Sequence, residues 1–233
     1  MVCQCCIGSP GSGASKIILA VNLKALVAEA KRAGGILEFI PSVGDFVGKD
    51  EPLFAWYGNA AAIDEGRLRA SVMLGTERTM EQDPTFSFRI VIDIALKALS
   101  PAINDPTTAV LAIDQLHRLL RAVGRRHLRN DQIVDREGQL RLIFRTPNWD
   151  DFVHLSFSEI RRCGAGSFQV ARRLRAMIEN LTVTLPERCH AALREQLVLL
   201  DREVSKAFTF AEDLALARVP DAQGLGGTRI WAP

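Results

Sequence analysis

A chain of 233 residues and 25.7 kDa, 48% apolar and 24% charged with a formal net charge of +2, has the composition of an ordinary globular protein of one large or two small domains. Disordered, collagen-like and coiled-coil classes are thereby excluded, and no window approaches the roughly 18 uninterrupted apolar residues that a membrane-spanning helix needs. The start, Met1-Val2-Cys3-Gln4-Cys5-Cys6, has neither part of a secretory signal, and five cysteines without a framework spacing suit a reducing compartment. The chain as written is expected to be soluble, cytoplasmic and free of structural disulfides.

Taken in chain order, residues 1–16 have the Gly/Ser/Pro composition of a flexible lead-in. Asn22 predicts an N-cap for a helix over 23–33, which Gly34-Gly35 ends. Residues 36–56 read as short strands joined by Gly/Pro/Asp turns and resemble half of the barrel-sandwich module of biotinyl and lipoyl carriers. The hairpin lysine of such a carrier is missing, because Lys49 lies in a different turn. From Asp64 the spacing of Leu68, Val72 and Met73 predicts a helix broken at Gly75, followed by a second helix-favouring run from Thr76. Asp83-Pro84 starts a helix running to Leu99, and Asp105 with Pro106 caps another that ends at Gly124. A hairpin is expected within 131–145. Helices then follow over 149–162, 167–181 and 186–218, the last one bent. The fold class is therefore α+β and mostly helical. A small β-containing subdomain with barrel-sandwich-like strands covers 17–60, a helical body with one short hairpin covers 61–219, and loose tails cover 1–16 and 220–233.

No catalytic signature accompanies these elements, and neither a catalytic residue nor a cofactor is expected. His117, His127, His154 and His190 lack the paired spacing of a zinc site, and Cys163 and Cys189 have no base nearby in sequence. Cys3, Cys5 and Cys6 are candidates for a soft metal or an acyl chain, set against the plain reading of a mobile tail. Arg89, Asp93 and Lys97 fall at i, i+4 and i+8 on one face of an apolar helix, which predicts a partly buried ion ladder, so that Asp93→Asn should destabilise. The same Asp93 with Glu77, Glu81, Asp83 and Asp105 makes a candidate carboxylate cluster for a hard cation. Asn104-Asp105-Pro106-Thr107-Thr108 reads first as a helix cap, with an anion at the helix N-terminus as the alternative. Arginine outnumbers lysine 23 to 6, and residues 117–175 carry 13 basic against 6 acidic groups. Within that stretch Arg161, Ser167, Arg172 and Arg173 are candidate anion contacts around a helix turn that resembles a phosphate cradle without being a P-loop. With one tyrosine and no stacking motif, no nucleic-acid partner is expected.

The string running from Gly75 through Asp83-Pro84 to Arg89, and then Ala98-Leu99-Ser100-Pro101-Ala102-Ile103-Asn104-Asp105-Pro106-Thr107-Thr108-Ala109, resembles the signature of a bacterial predicted membrane protein family, domain of unknown function 2254. Val43-Gly44-Asp45-Phe46-Val47, Phe152 and the segment from Ile160 to Ser167 extend the likeness over most of residues 17–215. The resemblance implies a membrane context, with this region as the soluble C-terminal half. It carries over no reaction, ligand or catalytic residue. The expected role is a non-enzymatic, membrane-associated assembly or regulatory module, with itself or an integral membrane protein as partner. The alternative is a regulatory domain that binds a cation or an anion through the carboxylate and arginine clusters.

Overall fold

A computed structural model describes residues 5–7, 15–128 and 131–227. The chain divides into two units, each around its own apolar core. One takes the residues up to Phe86 together with the hairpin segment ending at Thr146, and the other takes Ser87–Leu128 and the chain from Pro147 onward.

The first unit is built on strands β1 (Cys5–Ile7), β2 (Lys16–Val21), β3 (Ile36–Phe39), β4 (Phe46–Val47), β5 (Phe54–Tyr57), β6 (Val72–Gly75), β7 (Gln132–Val134) and β8 (Leu140–Phe144). Five of them form a sheet in the order β1-β5-β3-β8-β7, and the other three a sheet in the order β4-β2-β6. Strand β3 runs antiparallel to β5, with Phe39 opposite Phe54, and parallel to β8, with Leu37 opposite Leu142. Period-two alternation turns Leu37 and Phe39 inward, where they join Phe54, Trp56, Leu142 and Phe144. Helix α1 (Leu23–Ala33) adds Leu26 and Ala30 to this core. It is bounded as expected, with Asn22 Oδ1 accepting from the Ala25 N–H and Gly34 supplying the left-handed C-cap at φ 71°.

Four expectations for this unit are corrected. The lead-in does not extend to residue 16, because Cys5–Ile7 pairs with β5 and Lys16 opens β2. Helix α2 (Glu65–Ala70) stops short, and Val72–Gly75 is strand β6 paired antiparallel with β2. An apolar triplet at helical spacing is also compatible with a strand when an unpaired neighbour offers a ladder. The run from Thr76 to Asp83 is not helical: Gln82 Oε1 accepts from the Val21 N–H at 3.2 Å, and Asp83 is buried. The hairpin assigned to the helical body belongs to this unit, since β8 pairs with β3.

The second unit is helical. Helix α3 (Pro84–Ala98) leads into it, followed by α4 (Pro106–Gly124), α5 (Trp149–Gly164), α6 (Phe168–Thr184), α7 (His190–Ala207) and α8 (Ala211–Ala217). Apolar stripes such as Val110, Ile113, Leu116 and Leu120 on α4, and Val170, Leu174, Met177 and Leu181 on α6, supply the core. Helix α5 carries a full capping box between Asn148 and Asp151. The single bent helix expected over 186–218 is instead a 3₁₀ turn followed by α7 and α8. The break at Phe208 accompanies the packing of its ring on Phe168, with centroids 4.4 Å apart.

The expected loose C-terminal tail is ordered as far as residue 227. Asp221 accepts from the N–H groups of Gln223 at 3.0 Å, Gly224 at 3.0 Å and Gly226 at 2.7 Å. Burial pushes its carboxyl up, but these backbone donors outweigh burial and hold it below the usual carboxylate range. Residues 228–233 lie outside the described residues.

Candidate functional site

The polar side of α4 repeats charged groups at Asp114, Arg118, Arg121 and Arg125, with His117 one turn before Arg121. Spacings of three and four residues place these on adjoining faces of one helix. Because α4 packs against α6, Arg173 and Asn180 of α6 meet that stripe. Asp114, His117, Arg118, Arg121, Ala122, Arg125 and Arg173 together line a partly open cleft of about 450 Å³. Its size is that of a small-molecule site.

The hydrogen bonds fix the inner wall. Arg173 is buried; its Nε donates to Asp114 Oδ1 at 2.6 Å and its Nη2 to His117 Nδ1 at 3.0 Å. Since Nδ1 accepts, the other ring nitrogen carries the proton, and Nε2 donates to Asn180 Oδ1 at 3.0 Å. Arg121 Nη2 donates to the same Asn180 oxygen. Burial first, and then the Arg173 and Arg121 charges, push the His117 imidazole below its ordinary range, so it is neutral at pH 7. Arg121 Nε is buried and has no hydrogen-bond partner among the described residues. Four guanidiniums face one carboxylate here, and that carboxylate is held by Arg173. Among the described residues three positive charges therefore have no carboxylate partner, and the cleft carries a net positive charge.

Of the candidate anion contacts named from sequence, Arg173 alone lines this cleft. Arg161 is buried with Glu203 4.0 Å away, and burial lowers its affinity for its proton. Ser167 occupies the N-cap of α6 but makes no side-chain cap bond. Arg172 is corrected outright. It is 2% exposed, and its Nε, Nη1 and Nη2 donate to the carbonyls of Val219, Gly226 and Gly227 at 3.0–3.1 Å, so its hydrogen-bonding fork is occupied by the C-terminal segment.

The carboxylate cluster does not assemble. Among the described residues no group of three or more His, Cys, Asp or Glu side chains is placed to hold a metal ion. Glu77 and Glu81 are exposed in the segment before α3, and Asp83 is buried with its Oδ1 accepting from Thr85 Oγ1 and the Phe86 N–H. Asp105 caps α4, accepting from Thr108 N at 3.0 Å and Thr108 Oγ1 at 2.5 Å, and these bonds hold its carboxyl below the usual range. Thr107 is exposed, its hydroxyl 3.5 Å from Gln169 Nε2. Asn104 sits in the left-handed region at φ 48°, closing the turn that links α3 to α4. Cys3 lies outside the described residues, as do the side chains of Cys5 and Cys6.

The ladder on α3 is half formed and exposed. Arg89 bridges Asp93 and Glu159 of α5, whereas Lys97 has no ion-pair partner among the described residues. The Asp93 side chain is 58% exposed, which overturns the expected burial. Asp93→Asn is accordingly expected to change stability by less than about 1 kcal/mol, because Arg89 keeps Glu159 and exposed pairs contribute little. A urea titration measures this.

Sequence reasoning missed Arg118, Arg121 and Arg125 and considered His117 only as a histidine without the paired spacing of a zinc site. The signal that could have found them is the repeat 114, 118, 121, 125 on the polar side of α4.

With the geometry in place, the comparisons with known proteins can be set beside it. The model of a family described as predicted membrane protein, domain of unknown function 2254, matches residues 8–180, and the chain belongs to that family. It is 29% identical over 216 residues to uncharacterized protein Rv1290c of Mycobacterium tuberculosis and to uncharacterized protein Mb1321c of Mycobacterium bovis, covering 89% of this chain and 41% of each relative. A further relative, uncharacterized protein MT1328 of Mycobacterium tuberculosis, is 32% identical over 152 residues, covering 64% of this chain and 29% of its own length. The chain thus spans about two-fifths of the length of the first relatives it matches. No solved structure matches it. Among the described residues no helix is long and apolar enough to cross a membrane.

Proposed function

We propose that this chain is a regulatory module of a predicted membrane protein family, and that it responds to a phosphate-class anion bound in the arginine-lined cleft between α4 and α6. The observation that carries the reading is the charge imbalance of that cleft: Arg118, Arg121 and Arg125 lack a carboxylate partner among the described residues, while the single acid present is bonded to Arg173. Guanidinium groups fork around tetrahedral oxyanions, and each such charge-assisted bond is roughly twice as strong as a neutral one. Both nitrogens of His117 are engaged, which suits a positioning group better than a general base. The partner this reading calls for is a membrane-embedded portion, in keeping with the family description and the greater length of the relatives.

Thermal unfolding tests it. Inorganic phosphate should raise the midpoint of the wild-type chain beyond chloride at equal ionic strength, since a ligand at 100 times its Kd adds about 2.7 kcal/mol. Arg121→Gln should abolish that increment, and magnesium or calcium should produce none. Absence of a phosphate-specific shift, or a shift that survives Arg121→Gln, would sink the proposal.

A further inference from the structure

Granted that reading, we infer that the ligand of the cleft carries two or more phosphates joined in a linear chain. Three features of the cleft lead there. Arg118, Arg121 and Arg125 follow one another along α4, so at 1.5 Å per residue their origins are offset along the helix axis by about 4.5 Å and then about 6 Å. Their backbone origins thus span about 10.5 Å, so the three guanidiniums could meet on one tetrahedral ion only with the outer two reaching toward each other along the helix. The cleft volume of about 450 Å³ points the same way. It lies in the range of sites that take whole small molecules, more than a single oxyanion fills.

The lining then narrows the chemistry. Ala122 is its one apolar residue, and its one ring is the His117 imidazole, whose two nitrogens are both bonded to neighbouring side chains. A nucleobase would find no Phe, Tyr or Trp face, and an acyl chain would meet only Ala122 and the arginine stems. What the cleft offers along its length is guanidinium after guanidinium. Its inner end is fixed by the bonds of Arg173 and Arg121 to Asp114, His117 and Asn180, whereas Arg118 and Arg125 are exposed and reach from its outer part. One phosphate at the inner end beside Arg121 leaves Arg118 and Arg125 for the next. Inorganic diphosphate or triphosphate, or the phosphate chain of a larger molecule whose remainder stays in solvent, shares this chemistry.

Isothermal titration of the whole chain with orthophosphate, diphosphate, triphosphate and a nucleoside triphosphate tests it at fixed ionic strength. Diphosphate should bind at least about tenfold tighter than orthophosphate, the increment of one further charge-assisted group. Arg118→Gln with Arg125→Gln should weaken diphosphate more than orthophosphate and bring the two affinities to within about twofold of each other, whereas Arg121→Gln should weaken both together. An unchanged thermal midpoint shows that the double variant is folded, as expected for two exposed side chains. Triphosphate and the nucleoside triphosphate should bind equally, as a base left in solvent adds nothing. Equal affinity for orthophosphate and diphosphate would overturn the linked-phosphate inference and leave the anion site standing, whereas no binding in any arm would overturn both. A nucleotide bound much more tightly than triphosphate would also overturn it.

Discussion

Replacing Arg172 by methionine is expected to destabilise the helical unit by about 3 kcal/mol or more and to release the C-terminal segment. The methionine keeps most of the apolar stem, so the loss falls on the guanidinium, which donates to the carbonyls of Val219, Gly226 and Gly227. Val219, Gly226 and Gly227 are exposed and their carbonyls can turn to water, so the loss is that of three hydrogen bonds from a buried charged group, about 1.5–3 kcal/mol each before such relief. Without that anchor the segment should loosen, together with the bonds from the Gln223, Gly224 and Gly226 N–H groups to Asp221 and the bond from the Asp221 N–H to the Arg172 carbonyl at 3.1 Å. Chemical denaturation reads the stability, and hydrogen exchange at those three amides reads the release. Phosphate binding should survive in whatever fraction remains folded. An Arg172→Met protein of unchanged stability that no longer binds phosphate would return this arginine to the ligand.

Gly44→Ala is the second large effect, expected at about 3 kcal/mol. The residue has φ 93°, a conformation that costs a residue with a β-carbon about 1–3 kcal/mol. Its added methyl would also stand 2.3 Å from Oδ2 and 3.0 Å from Cγ of Asp83. That carboxylate cannot swing aside freely, because its other oxygen accepts from Thr85 Oγ1 and from the Phe86 N–H at 3.1 Å, which fixes the start of α3. Moving it forfeits a cap interaction of about 1 kcal/mol. A double-mutant cycle with Asp83→Ala separates the two contributions: the clash should vanish in the double variant, leaving the backbone strain. Additive single effects would mean that the contact carries no energy.

This contact also explains part of what could be read from the chain and what could not. Val43-Gly44-Asp45-Phe46-Val47 and the Asp83-Pro84 string are separate signatures in sequence, and the fold joins them through Gly44 and Asp83. Local signals were legible wherever the relevant chemistry was local. Asn22 and Gly34 bound α1, Asp105 and Pro106 start α4, and the hairpin of β7 and β8 forms within its expected residues. Non-local pairing was not legible. Val72–Gly75 becomes a strand because β2 lies beside it, and no spacing within 64–75 records that neighbour. The cleft was half legible. Its α4 stripe was present as a periodicity, but that Arg173 rather than Arg172 turns toward it depends on how α6 is rotated against α4, and adjacent residues on a helix point about 100° apart. The tail was misjudged for a related reason, since a Gly-rich composition says that a segment is pliable, not that an arginine 47 residues upstream holds its carbonyls.

The parallel pairing of β3 with β8 has a consequence in time. Leu37 finds its partner Leu142 105 residues later, across the whole of α3 and α4. At a synthesis rate of about 5–20 residues per second, β3 waits roughly 5–20 s on the ribosome with one edge open. An unpaired edge offers a template to any other extended chain, so a nascent polypeptide of this protein needs a chaperone, or slow crowding-free synthesis, most during that interval. Codon choice and expression temperature over residues 40–144 should then govern the soluble yield more than those over α5 to α8, whose partners are near in sequence.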